Sequence, residues 1–157
     1  MKNTAIILIF LLAGCTSKQH VANNQNSEMN SKLIEINITQ GENLTFIIKN
    51  ISEESVKIYQ PERLKIEKFV DGSWVKLRIL PCPCGAPCAR PPEFIDIPSG
   101  QSHYYSWNKN ESWCGDKNES GIPETKRMIV ESGKYRIGIL FSIENGKQEL
   151  LYKEFKI

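Results

Sequence analysis

Histidine is scarce in this chain: His20 and His103 are the two among 157 residues. His20 sits in a polar stretch, so one histidine is left for acid–base or nucleophile–base work in the folded part. Serine is plentiful, but no G-x-S-x-G elbow surrounds any of it, and the glycines stand singly at turn positions rather than in a phosphate-cradling loop. Glu53 with Glu54, and Glu93 with Asp96, are carboxylate pairs without the apolar surroundings an acid–base role needs. Charge of one sign is also missing. The 20 Lys and Arg are nearly balanced by 18 Asp and Glu, with no long basic cluster and no acidic tail. Nucleic acid therefore has no electrostatic footprint here, and a catalytic function is not expected. Finally, the longest apolar run, Ile6 to Leu12, falls far short of the roughly 20 residues that cross a bilayer.

What is there begins with that short run. Lys2 supplies a positive start, Ala5 to Ala13 an apolar segment, and Ala13-Gly14 small residues ahead of Cys15. Leu12-Ala13-Gly14-Cys15 resembles the lipobox of bacterial lipoprotein signals. That resemblance implies cleavage after Gly14 and diacylglyceryl modification of Cys15, with palmitate-type acyl chains as the membrane anchor. Each buried CH₂ adds about 0.8 kcal/mol to membrane binding, so two or three chains hold a protein firmly without a spanning helix. The implied location is the cell envelope. It would be the outer membrane in a Gram-negative host, because Thr16 rather than Asp follows the cysteine, or the outer face of the plasma membrane in a Gram-positive one. Residues 1–14 are then signal, and residues 15–31, rich in Asn, Gln and Ser, form a flexible tether with too few apolar residues to repay ordering.

From Lys32 to Ile157 the pattern changes to short β-branched and aromatic runs divided by turn signals, which predicts one all-β domain over 32–157. Strands are expected at Leu33–Ile38, Leu44–Lys49, Val56–Tyr59, Leu64–Val70, Trp74–Leu80, Phe94–Ile97, His103–Trp107, Tyr135–Ile143 and Glu149–Ile157. Asp71-Gly72 and Asn145-Gly146 mark hairpins, since these dipeptides accept the positive φ angles of a type I′ turn. Pro123–Val130 suits one short turn of helix. Some seven to nine strands at regular spacing indicate a sandwich or barrel. The segments KNISEESVKIY, IPSGQSHYYSW and ESGKYRIGILF resemble bacterial immunoglobulin-like extracellular domains, and the last is similar to intracellular proteinase inhibitors of the bacillus type. The resemblance implies an immunoglobulin-like sandwich and carries no inhibitory signature.

Five of the eight prolines and three of the five cysteines fall within Pro81–Pro92, and Cys114 stands alone further on. Proline fixes φ and removes a backbone donor, so this stretch is a stiff loop rather than a strand. In an exported domain an even set of cysteines reads first as disulfides. Cys82, Cys84, Cys88 and Cys114 allow three pairings, and a direct Cys82–Cys84 ring across a proline is too tight, which favours a long link to Cys114. The alternative is a copper or zinc site built from the same four thiolates with His103, although C-x-C and C-x₃-C match structural zinc spacing only in part. Arg90, beside Pro91, and Trp113, beside Cys114, are the candidate binding residues. No cofactor is implied. The expected protein is a lipid-anchored binding module whose partner is an envelope protein or a small ligand.

Overall fold

A computed structural model describes residues 33–143 and 146–157. The expected signal, tether and Cys15 lie outside the described residues, as do Glu144 and Asn145 of the second hairpin turn. Among the described residues there is no helix, and eleven strands are formed. They are β1 (Ile34–Gln40), β2 (Leu44–Asn50), β3 (Val56–Tyr59), β4 (Lys65–Val70), β5 (Ser73–Lys76), β6 (Phe94–Ile97), β7 (Ser102–Trp107), β8 (Asn110–Lys117), β9 (Pro123–Ile129), β10 (Lys134–Ile143) and β11 (Glu149–Lys156).

Alternation decides which way each strand faces. In β10, Tyr135, Ile137, Ile139 and Phe141 are buried; in β2, Leu44, Phe46 and Ile48 are. One antiparallel sheet has the order β1-β2-β7. In the other, β10 is the central strand: β11 runs along one edge, while β4 and β3 share the opposite edge end to end. β5 and β6 then extend the sheet beyond β4 and β3. The two inner faces close over a single core in which Phe46, Trp107, Tyr135 and Phe155 meet edge-on or stacked. Burying each such side chain contributes roughly 1.5–3 kcal/mol or more. This is an immunoglobulin-like sandwich, not a barrel.

Turn chemistry sets the register. Asp71 and Gly72 both have positive φ, 48° and 83°, and pair Val70 with Ser73 across the β4–β5 hairpin. Asn50 ends β2 fully buried, yet it is satisfied. Its side-chain amide donates to Glu54 O and Ile97 O at 2.7 and 2.8 Å, and its Oδ1 accepts from the Ser52 backbone and hydroxyl.

Three expectations need correction. Pro123–Val130 is not a helical turn, because Pro123–Ile129 is β9 and pairs with β8. The strand expected to reach Leu80 leaves its sheet after Lys76. The strand total exceeds seven to nine because the chain between β7 and β10 makes a hairpin of its own.

Candidate functional site

The β8–β9 hairpin shares no strand ladder with either sheet of the sandwich. It is held through the segment that follows β5. Leu77 N–H still donates to Ile66 O on β4, but the chain then turns to β8, where Ser112 N–H donates to Arg78 O at 2.7 Å and Leu80 N–H to Ser112 Oγ at 2.8 Å. Arg78 N–H is taken by Glu111 Oε1 at 3.0 Å.

Two disulfides complete the attachment. Cys84–Cys114 spans a sequence separation of 30 with Cα atoms 5.6 Å apart, and Cys82–Cys88 spans 6 with Cα atoms 6.3 Å apart. The long bridge rests on the hairpin ladder itself, because Cys114 pairs with Thr125 and Thr125 Oγ1 accepts the Cys84 N–H at 2.8 Å. Gly85 has φ 73°, and a Cβ there would collide with Ile122 on the hairpin, so this position requires glycine. In the chain-entropy model loops of these lengths are worth about 3.7 and about 2.4 kcal/mol.

The bridges take up the four cysteines of the alternative copper or zinc site. All four sulfurs are engaged, and His103 lies in β7 opposite Ile48, edge-on to Tyr105 at 4.7 Å. Among the described residues no three His, Cys, Asp or Glu side chains gather as a metal site. Burial holds the His103 pKa below its ordinary value and pushes the Tyr105 hydroxyl up to about 12. His103 is thus more enclosed than a solvent-facing residue. Its linkage to stability follows directly. The unfolded imidazole, with an ordinary pKa of 6.5, takes up a proton before the buried one does, so stability is fully present above that pKa and is lost as pH falls below it. The melting temperature should therefore drop between about pH 7.5 and about pH 5, and His103→Gln should reduce the drop. Equal drops in both proteins would dismiss His103 as the cause.

Three clefts surround the stapled segment. One of about 390 Å³ is polar, with Asn43, Asn108, Asn110, Thr125 and Arg127 in its wall. A second, of about 500 Å³, has Leu64, Ile79 and Leu80 as its apolar surface and Arg63, Lys76 and Arg78 as its cations. Trp113 belongs to it as well. The third, of about 340 Å³, contains Arg90, Pro91, Pro92 and Glu93 together with Arg63. Arg90 and Trp113 thus occupy different clefts, linked through Arg63. Trp113 is in β8, not in a loop, and is half-buried with the Arg78 guanidinium 3.9 Å from its ring centre. Arg78 Nε is also 3.5 Å from Glu111 Oε1, so ring and carboxylate hold the guanidinium from two directions. Among the described residues Arg63, Lys76, Arg90 and Arg127 have no carboxylate within 4.0 Å. Arg63, Lys76 and Arg78 were not evident from the sequence because Arg63 stands on a different segment from Lys76 and Arg78, and the three form no cluster along the chain. The one available signal was the proximity of Trp113 to a cysteine linked back to the proline loop.

No protein-family model and no curated protein matches the chain. Among solved structures, it is similar to the X-ray structure of Northeast Structural Genomics Consortium target SoR45, at 15% identity and a TM-score of 0.45, covering 79% of this chain and 84% of that one.

Proposed function

We propose that this protein is a lipid-anchored, non-catalytic binding module of the cell envelope, with its ligand site in the clefts framed by the stapled hairpin. The observation that carries the reading is the pair of disulfides, Cys82–Cys88 and Cys84–Cys114, which suits a protein working in an oxidising, extracytoplasmic compartment. A stapled loop also loses little entropy when a ligand arrives, which favours recognition by a preformed surface. The scarcity of histidine and the absence of acidic groups from the cleft that contains Trp113 favour binding over acid–base chemistry. The Leu12–Cys15 lipobox supplies the anchor, with Cys15 as the acylated residue and the acyl chains as the contact with the membrane. An envelope protein is the partner most in keeping with that position.

The decisive experiment is metabolic labelling in a bacterial host. The native chain should incorporate labelled palmitate and fractionate with membranes, whereas Cys15→Ala should lose the label completely, since no other residue of the signal accepts an acyl chain. Persistent label in Cys15→Ala would end the lipoprotein assignment.

A further inference from the structure

We infer that the cleft between the Leu77–Leu80 segment and β8 is a binding site for an extended acidic peptide segment that alternates carboxylate and apolar side chains. The inference rests on the binding-module reading and names its ligand class.

Three observations converge on it. First, Arg63, Lys76 and Arg78 contribute cations to this cleft while no carboxylate lines it. Arg63 and Lys76 have no ion-pair partner among the described residues, and both are exposed. Glu111 accepts the Arg78 N–H and pairs with its Nε at 3.5 Å, and Glu67 stands opposite Lys76 in the β4–β5 ladder, but neither carboxylate lines the cleft. A guanidinium presents five donors in a planar fork that matches a carboxylate, and Arg78 is already oriented by Trp113 and Glu111, so little order is lost on binding. Second, Leu64, Ile79 and Leu80 are each only partly buried, which leaves apolar surface between the cations. Such a surface gains from contact with aliphatic side chains. Third, the lining offers one hydroxyl, Ser112 Oγ, which already accepts the Leu80 N–H. An anionic sugar needs partners for its many hydroxyls and would leave them unmatched here. A peptide with carboxylates toward the rim and aliphatic side chains toward Leu64 and Ile79 satisfies all three. Its path continues into the neighbouring cleft, where Arg63 is shared and Arg90 supplies a further cation beside Pro91 and Pro92. Glu93 in that neighbouring cleft sets a limit on how many acidic residues it accepts.

The test uses the full chain and a fluorescein-labelled hexapeptide of alternating glutamate and leucine, followed by fluorescence anisotropy at low ionic strength. The peptide should bind, and its lysine–leucine counterpart should not. Arg63→Gln and Lys76→Gln should each weaken binding about tenfold, the equivalent of one charge-assisted hydrogen bond. Lys49→Gln, on the other sheet, should leave it unchanged. Arg63 and Lys76 are exposed and their side chains make no hydrogen bond or ion pair among the described residues, so these variants keep the comparison interpretable. Equal binding by wild type and both cleft variants would overturn the site. Equal binding of a glutamate–serine peptide would overturn the apolar component, and displacement by oligogalacturonate as effective as by unlabelled peptide would overturn the peptide in favour of a glycan. A palmitate-labelled chain that ignores every probe refutes this ligand class while leaving the anchor in place. Peptide binding by an unacylated chain does the reverse.

Discussion

Trp107→Ala should be the costliest single substitution in the domain, lowering unfolding free energy by about 3–5 kcal/mol, the usual range for deleting a buried aromatic ring. Trp107 is 2% exposed at the end of β7. Its ring meets Tyr135 edge-on at 6.2 Å and Phe155 at 6.5 Å, so it touches the opposite sheet through two strands. Its indole N–H also donates to Asn110 O at 2.9 Å, where the hairpin begins. Alanine removes the packing, leaves a cavity and orphans that carbonyl. Trp107→Phe refills much of the space but not the hydrogen bond, and should cost roughly half as much. Urea denaturation of the three proteins provides the check. A loss under 1 kcal/mol for alanine would mean that the two sheets are not joined through this ring.

The second large effect belongs to the long bridge. Cys114→Ser should destabilise the oxidised protein by about 2–5 kcal/mol, and Cys82→Ser by less, because its loop spans 6 residues rather than 30. The two differ in what they release. Opening Cys84–Cys114 leaves the β8–β9 hairpin attached by the Arg78–Leu80 hydrogen bonds and Trp107, whereas opening Cys82–Cys88 relaxes only the proline loop. The exported domain, residues 32–157, should show no thiol reactive with Ellman's reagent after denaturation, and a mass about 4 Da below its reduced form. Four reactive thiols, or a larger penalty for Cys82→Ser, would contradict this account.

The sandwich was legible in the sequence because its strands obey a local rule. Leu44, Phe46 and Ile48 alternate with the less buried Thr45, Ile47 and Lys49, and Asp71-Gly72 writes its turn type into two residues. β8 and β9 escaped because they do not alternate toward a core. Ile129 is 77% exposed and Met128 50%, and the hairpin is fixed by a disulfide and by backbone bonds to a distant segment, which leave no periodic trace. That also explains the misreading of Pro123–Val130: its register is imposed by β8, not by its own composition. A long link to Cys114 was favoured by ring size, while its partner, Cys84 rather than Cys82, depended on loop geometry that spacing does not specify. Of the binding candidates, Trp113 was found beside its cysteine, but the cations around it converge only in three dimensions.

The hairpin departs from and rejoins the sandwich through a single doorway, where Val130 N–H donates to Lys109 O at 2.9 Å between the end of β7 and the start of β10. Neither β7 nor β10 depends on what lies beyond that doorway for its ladder partners. Residues past it can therefore diversify in length and chemistry while the hydrophobic interior keeps its registration. The chemistry of the hairpin and the architecture of the sandwich are in this way separable properties of one chain, much as a replaceable bit is separable from the handle that drives it.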